Sequence, residues 1–266
     1  MSSNLSKLYN NFLWYFTKNM KDYLNYDGLA VMAHRGGSLE APENTIESFF
    51  YSLEIGSDII ETDIQLSSDG VPYIFHDDDL KRIPGIDKRF NELSSSQINN
   101  LDIFKDYKIP TLEEVFSKFP DTRFQIDFKT DEVVDPAIEV INKFPNIKKN
   151  LCIASFSSKR LNTIKNKLDD VALSMGPQEV LKLLLKSFSL YYGNIPGDCL
   201  QIPIYRYGIK IVTKRFVNFC KSKNIKISVW TINDIDEMNY LIDLGVDGII
   251  TDRPKVLVDL LNSKNT

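Results

Sequence analysis

The sequence predicts an α/β fold, a (β/α)8 TIM barrel with an insertion after the second strand. The chain has 266 residues, close to the ~250 residues that are typical of one such barrel. After residue 28, eight short apolar runs alternate with helical stretches. Alternation of this kind indicates βα units around a parallel sheet, and eight units specify a closed barrel more naturally than an open sheet.

The eight predicted strands are rich in Ile, Val and Phe, which favour extended structure. They cover residues 29–33, 58–64, 123–128, 151–154, 171–174, 199–203, 226–230 and 247–251. The predicted helices cover residues 43–55, 111–118, 134–144, 157–168, 178–187, 212–223, 234–243 and 254–262. Gly56 and Gly245 stand where helix C-caps are expected. An open dinucleotide-binding sheet would usually have a GxGxxG turn after its first strand, and the HRGGS segment there does not match it.

One connection is unusually long. A polar, loop-like stretch from Asp77 to Pro110 lies between the second strand and the next barrel helix. Insertions of this size are usually functional, as a lid or a specificity element. We see no internal repeat and no low-complexity linker, so residues 29–266 are predicted to form one barrel domain.

Residues 1–28 are predicted to form a separate N-terminal element. Between residues 5 and 24, apolar side chains recur at the three- and four-residue spacing of an amphipathic helix. They are Leu5, Leu8, Phe12, Phe16 and Met20. One interpretation is a helix packed on or near the barrel. The other is weak contact with a membrane surface, because Trp14 and Tyr15 beside several lysines suit a headgroup layer.

Composition narrows the partners and the compartment. The net charge of −4 and the pI near 5.4 argue against a nucleic-acid partner, which requires a concentrated basic surface. Three cysteines without CxxC spacing suit a reducing compartment. We see no signal peptide and no membrane-spanning run. The expected location is the cytoplasm, with peripheral membrane contact as the variant that the N-terminal helix would support. The oligomeric state stays open.

Both histidines of the chain, His34 and His76, lie in polar clusters that follow apolar runs. His34 opens the segment HRGGSLEAPENT after the first strand, and His76 follows VPYIF. Barrel active sites form at the carboxyl ends of the strands, and histidine titrates near neutral pH. We therefore predict that both histidines are functional rather than structural.

Carboxylates gather beside them. Glu61 and Asp63 lie two residues apart on the second strand, so they point to the same side, which we expect to be the barrel mouth. Adjacent buried carboxylates repel unless a cation neutralises them. With Asp127 as a third oxygen donor, the set favours Mg²⁺ or Ca²⁺ over Zn²⁺. The alternative is that these carboxylates form salt bridges with Arg35 and Lys129.

Two histidines, two cations and a hard metal suit a phosphate diester, because negative charge builds up on its non-bridging oxygens. Acid–base groups would activate a nucleophile and protonate the leaving alkoxide. We see no GxSxG or Cys-His signature of a protein nucleophile.

Six segments in order resemble the glycerophosphodiester phosphodiesterase family over roughly residues 30–257. They are HRGGSLEAPENT, ETDIQLSSDGVPYIFHDDDLKR, IPTLEEVF, QIDFK, SVWTIND and GVDGIITDRP. The resemblance implies metal-dependent hydrolysis of a glycerophosphodiester to glycerol phosphate and an alcohol. It further implies site roles for seven residues: His34 and His76 as the catalytic pair, Glu61, Asp63 and Asp127 as metal ligands, and Arg35 and Lys129 as phosphate contacts.

Four positions need comment beside the resemblance, of which Trp230 is selected by its place at the seventh strand end. The family often has Glu where this chain has Asp127. Glu43 and Asn44 match a family segment and are expected to support the site. Trp230 is expected either to line the alcohol side of the pocket or to be a buried core side chain.

The inferred mechanism uses a hydroxyl group of the substrate. One histidine deprotonates the neighbouring glycerol hydroxyl, which attacks phosphorus while the other histidine protonates the leaving alcohol. Water then opens the cyclic phosphate. Two alternatives remain. One is a lipid substrate, as in a lysophospholipase D, with residues 180–193 and the N-terminal helix gathering an acyl chain; the other is an inactive barrel that binds phosphorylated ligands.

Overall fold

A computed structural model describes residues 21–264 of the chain. Its strands are β1 (Ala30–His34), β2 (Ile59–Leu66), β3 (Pro72–Ile74), β4 (Arg123–Phe128), β5 (Leu151–Ala154), β6 (Ala172–Leu173), β7 (Cys199–Ile202), β8 (Tyr205–Arg206), β9 (Ile209–Lys210), β10 (Lys226–Val229) and β11 (Gly248–Thr251). The eight predicted strands are confirmed, each within two residues of its expected bounds. Strands β3, β8 and β9 were not predicted.

Eight of these strands form the ring. Parallel pairing gives the order β6-β5-β4-β2-β1-β11-β10-β7. A parallel bridge between Ser174 and Cys199 joins the two ends, and the amide of Met175 donates to the carbonyl of Cys199 at 2.9 Å. The predicted (β/α)8 barrel is therefore confirmed.

The helices are α1 (Ile46–Glu54), α2 (Ser95–Asn99), α3 (Leu112–Lys118), α4 (Val134–Asn142), α5 (Pro145–Lys149), α6 (Ser158–Lys167), α7 (Pro177–Ser187), α8 (Lys214–Ser222), α9 (Ile235–Leu244) and α10 (Pro254–Lys264). Short 3-10 segments cover Asp22–Leu24 and Phe90–Glu92. Thr111 caps α3 by accepting from the Glu114 amide. Gly245 ends α9 at φ 80°, which confirms its predicted C-cap role.

Apolar side chains fill two layers. Outside the ring, residues such as Phe124 and Phe116 pack between strands and helices. Inside it, Met32 and Ile59 form a smaller cluster that also contains Tyr23 from the 3-10 segment before β1. The lower end of the barrel is therefore filled by side chains, and the open end lies at the carboxyl ends of the strands.

The structure describes only part of the amphipathic helix predicted for residues 5–24. Residues 5–20 of the predicted amphipathic helix lie outside the described residues. Its last three residues, Asp22–Leu24, form a 3-10 turn rather than an α-helix. Between residues 21 and 264, no helix is long and apolar enough to cross a membrane.

The insertion after β2 packs on the barrel through a short strand and an apolar cluster of its own. Strand β3 folds back antiparallel on β2, with Ile74 opposite Ile64. Residues of the insertion form their own apolar cluster, which comprises Tyr73, Phe75, Leu80, Phe90, Leu93, Ile98, Ile103 and Ile109. Between Asp77 and Pro110 the helical elements are the 3-10 segment Phe90–Glu92 and α2, so most of the stretch is loop-like, as predicted. Its apolar core was not predicted, because these residues are irregularly spaced and come together only when the chain folds over β3. The hairpin also returns the chain to the barrel mouth, where the Phe75 amide donates to the Asp63 carbonyl at 3.0 Å.

Candidate active site

A pocket of about 240 Å³ opens at the carboxyl ends of the strands. Its lining includes the eight residues for which the sequence analysis predicted a catalytic, metal-binding or substrate-binding role: His34, Arg35, Glu61, Asp63, His76, Asp127, Lys129 and Trp230. The structure therefore brings these eight together, whereas Glu43 and Asn44, which were expected to support the site, do not line the pocket.

Strand register places the acidic residues side by side. His34 on β1 lies opposite Glu61 on β2, and Asp63 on β2 lies opposite Asp127 on β4. Because these positions alternate with residues that face the helices, such as Ile64, all four side chains point into the mouth.

The conformation of the turn after β1 determines where the Arg35 side chain points. Arg35 adopts a left-handed conformation with φ 53°, which is uncommon for a residue other than glycine. Gly36 follows at φ 77°, and a Cβ atom there would collide with Ser48 and Phe49 of α1. The glycine thus lets the turn pack closely on the start of α1, and Arg35 projects toward Asp63.

Three buried carboxylates dominate the electrostatics of the pocket. Glu61, Asp63 and Asp127 are each less than 10% exposed. One oxygen of each has no hydrogen-bond partner in the described part of the chain: Glu61 Oε2, Asp63 Oδ2 and Asp127 Oδ1. Burial and the neighbouring Asp63 raise the pKa of Glu61 to about 7, and burial raises the pKa of Asp127. The cluster would therefore be stabilised by added positive charge.

Basic side chains supply part of that charge. Lys129 Nζ lies 2.7 Å from Asp63 Oδ1 and 2.7 Å from Asp127 Oδ2. Arg35 Nε lies 3.6 Å from Asp63 Oδ2. The salt bridges expected as an alternative to a metal site are thus present at Asp63 and Asp127, whereas Glu61 forms none with Arg35 or Lys129. Within residues 21–264, no group of three or more His, Cys, Asp or Glu side chains is preassembled to hold a metal ion.

The donor set nevertheless fits a hard cation. Lys129 covers one oxygen each of Asp63 and Asp127, and the second oxygen of both groups remains without a hydrogen bond from a described residue. Glu61 adds a third such oxygen. Buried anionic oxygens of this kind are the ligands that Mg²⁺ and Ca²⁺ prefer. These three residues are the ones that could hold a metal.

His34 is oriented by a residue that the sequence analysis did not select. Its Nδ1 atom lies 2.5 Å from Asp252 Oδ1, and its Nε2 atom lies 3.8 Å from Glu61 Oε2. Burial alone lowers the pKa of His34, but the carboxylates of Glu61 and Asp252 outweigh burial and raise it above its ordinary value. Asp252 directly follows β11, so its place at a strand end was the signal that could have identified it.

Asp252 is itself held firmly. Ser38 Oγ donates to its Oδ1 at 2.5 Å, and Asn233 Nδ2 donates to its Oδ2 at 2.7 Å. Burial alone would raise the pKa of Asp252, but these hydrogen bonds and the one with His34 lower it to about 2. The group is therefore a fixed anion behind the imidazole.

His76 comes from the insertion and has a different partner. Its Nδ1 atom lies 2.7 Å from Asp77 Oδ1, and Asp77 in turn accepts a hydrogen bond from Arg82. Arg82 also contacts Glu43, whose second oxygen lies 3.1 Å from Arg35 Nη1. A chain of ion pairs therefore links the insertion to the turn after β1. Arg82 was not selected from the sequence.

The opposite wall of the pocket is largely apolar. Its lining includes Phe156, Met175, Val180, Ile202 and Ile211. Trp230 meets Phe156 edge to face, with ring centroids 6.0 Å apart, and it also packs against the inner barrel cluster. Both interpretations of this tryptophan thus describe part of its surroundings.

The residues 180–193, considered as an acyl-chain element, are mostly accounted for by α7. Val180 and Leu183 are buried in the outer core, where they pack between strands and helices. Val180 also reaches the pocket. This stretch is therefore first of all a barrel helix.

The sequence and the fold of this chain were compared with those of known proteins. A family model described as the glycerophosphoryl diester phosphodiesterase family matches residues 34–256. A Mycobacterium tuberculosis protein named probable glycerophosphodiester phosphodiesterase 2 is 32% identical over 247 residues, covering 90% of this chain and 93% of that protein. A Caldanaerobacter subterraneus glycerophosphodiester phosphodiesterase is 32% identical over 245 residues, covering 87% and 97%. The crystal structure of a Thermotoga maritima glycerophosphodiester phosphodiesterase matches with a TM-score of 0.70 at 27% identity, covering 88% and 100%.

The contact between His34 and Asp252 generates a prediction about titration. Asp252→Asn replaces a fixed anion by a neutral amide, so the pKa of His34 should fall. Nuclear magnetic resonance of chelator-treated protein would measure this, and assignment is simple because the chain has two histidines. His76, which pairs with Asp77 instead, serves as the internal control. An unchanged His34 pKa, or an equal change at both histidines, would contradict the contact.

Proposed function

Because the chain belongs to the glycerophosphoryl diester phosphodiesterase family, we propose that this pocket hydrolyses glycerophosphodiesters by metal-dependent catalysis with two histidines. The chain is an enzyme, a phosphoric diester hydrolase. The products would be glycerol phosphate and an alcohol. One observation carries the proposal: two histidines, each paired with a carboxylate, share a pocket with three buried acids and two cations.

A divalent metal, Mg²⁺ or Ca²⁺, would be held by Glu61, Asp63 and Asp127. When bound, it supplies positive charge that neutralises the carboxylates, stabilises phosphate oxygens and lowers the pKa of a coordinated hydroxyl. The shorter side chain of Asp127, where the family often has Glu, would change the reach of one ligand. The unpartnered oxygens of these residues support the assignment.

The histidines would divide the proton transfers. Each has its Nδ1 atom engaged by a carboxylate, His34 by Asp252 and His76 by Asp77. This leaves Nε2 of each ring to exchange a proton with the substrate. One histidine would remove a proton from the glycerol hydroxyl next to the phosphoester, and the other would donate a proton to the leaving oxygen.

Arg35 and Lys129 would bind the phosphate. Both line the pocket and both lie against Asp63. Negative charge on the non-bridging oxygens increases in the transition state, and positioned cations stabilise that charge. Trp230 would contact the alcohol from the apolar wall.

The metal assignment predicts loss of activity on chelation. Treatment with EDTA should abolish release of a phosphomonoester from a glycerophosphodiester, and added Mg²⁺ or Ca²⁺ should restore it. Glu61→Gln and Asp127→Asn should raise the metal concentration needed for half-maximal activity, since each removes a charged ligand. Asp135→Asn, on the exposed surface of α4, is the matched control. Full activity after exhaustive metal removal would refute the assignment.

The histidine assignment predicts a large loss of turnover. His34→Ala and His76→Ala should each lower kcat by roughly 10²–10⁴, the usual scale of acid–base catalysis. In the double variant, the increase in activation free energy should be smaller than the sum of the two single increases, because the residues act as a unit. Circular dichroism would confirm that each variant is folded. A variant that keeps nearly the wild-type rate would assign its histidine to structure alone.

The proposed nucleophile predicts an intermediate. Attack by the substrate's own hydroxyl should produce a transient cyclic phosphate, which phosphorus NMR would detect. A diester without that hydroxyl, the 2-deoxy analogue, should bind but react very slowly. Its inhibition of the normal substrate would measure binding separately. Comparable rates for both compounds would mean that water attacks phosphorus directly.

A further inference from the structure

We propose that Arg206 is a specificity-determining residue that binds an anionic group on the leaving alcohol of the diester. This rests on the proposed hydrolysis of glycerophosphodiesters and extends it to the class of alcohol. The favoured substrates would carry a carboxylate or a second phosphate on that side, and diesters of purely cationic alcohols would be disfavoured.

The first support is the state of the cations in the pocket. Among the described residues, the arginine and lysine side chains that line it are Arg35, Lys129 and Arg206. Arg35 and Lys129 are both paired with carboxylates. The guanidinium of Arg206 makes no hydrogen bond or ion pair with any residue between 21 and 264, and it lies 5.4 Å from the ring centroid of Tyr207. It is thus the pocket cation whose charge no described carboxylate matches.

The second support is its place around the ring. In the order of pairing, β7 lies four strands from β2 in either direction. Arg206 follows β7, so it stands across the mouth from Glu61 and Asp63 on β2. If the metal and the phosphate occupy the side of β1, β2 and β4, the leaving alcohol extends toward Arg206.

The surroundings of Arg206 would strengthen such a contact. The pocket that Arg206 lines also has an apolar lining that includes Met175, Val180, Ile202 and Ile211. An apolar lining offers no competing hydrogen bonds and lowers the local dielectric constant, so an ion pair in the pocket is stronger than in water. A planar guanidinium can also hold a carboxylate or phosphate through two parallel hydrogen bonds.

The backbone holds this arginine in place. Strands β8 and β9 form a hairpin in which Arg206 pairs with Ile209. The two residues of its turn, Tyr207 and Gly208, have φ angles of 51° and 77°, as a tight hairpin turn requires. At the base, the Ile211 amide donates to the Ile204 carbonyl at 2.9 Å. The hairpin is short, so Arg206 stays close to the wall.

The experiment compares two substrates that differ by one carboxylate on the alcohol: glycerophosphoserine and glycerophosphoethanolamine. The wild-type enzyme should have the higher kcat/KM for the serine diester. Arg206→Gln should lower that value by roughly tenfold to a hundredfold, the scale of a lost charge-assisted hydrogen bond, and should change the ethanolamine value by no more than about twofold. Arg206→Lys should restore part of the preference, because it keeps the charge but loses the bidentate geometry.

The matched control is Lys210→Gln. Lys210 lies on the same hairpin and carries the same charge, but it is exposed, with its ammonium 4.4 Å from the ring centroid of Tyr240. It should leave the preference intact. An equal effect of both substitutions would indicate a general electrostatic effect of positive charge on the hairpin, rather than a contact of Arg206 with the substrate, and would overturn the proposal. So would equal losses on both substrates with Arg206→Gln, or a wild-type enzyme that hydrolyses both without preference.

These outcomes distinguish a failure of the Arg206 assignment from a failure of the proposed function. If the wild-type enzyme hydrolyses both probes and Arg206 does not discriminate between them, the inference fails and the proposed function stands. If it hydrolyses neither with Mg²⁺ or Ca²⁺ present, the proposed function fails, and the inference fails with it. Circular dichroism of each variant would show that a loss of selectivity occurs in folded protein.

Discussion

The burial of three carboxylates in the barrel mouth is the constraint on which the rest of the site depends. Strand pairing places Glu61, Asp63 and Asp127 within one small volume, where desolvation and mutual repulsion disfavour their charged forms. Lys129 offsets part of that cost by lying 2.7 Å from two of them. The remaining oxygens without a hydrogen-bond partner in the described residues would be stabilised by a further cation, which is the basis of the proposed metal site.

Carboxylates also orient the two histidines. Each imidazole has a carboxylate behind it, but the two carboxylates come from different parts of the chain. Asp252 follows the last barrel strand, whereas Asp77 belongs to the insertion and is tied through Arg82 to Glu43. Closure of the barrel therefore orients one histidine, and packing of the insertion on β3 orients the other. Loss of either arrangement would disturb the proposed acid–base pair without removing either histidine.

The pocket has two chemically different halves because the barrel draws its rim from eight separate strands. The strands β1, β2 and β4 contribute charged residues, and the connections after β5 to β10 contribute mainly apolar ones. A diester would lie across the mouth with its phosphate toward the charged half. The leaving alcohol would then meet the largely apolar wall, where Arg206 is the charged residue.

The sequence by itself determined the eight barrel strands and their alternation with helices, because apolar periodicity is local. It also determined the eight residues of the predicted site, since each stands at a strand end or in a family segment. The salt bridges of Arg35 and Lys129 with the acids were foreseen as an alternative, but tertiary structure alone decided the contacts between distant segments. Asp252 contacts His34 across 218 positions, the insertion's apolar residues form a core only on β3, and Arg206 reaches the pocket through a six-residue hairpin. Such contacts join distant segments, and no local pattern encodes them.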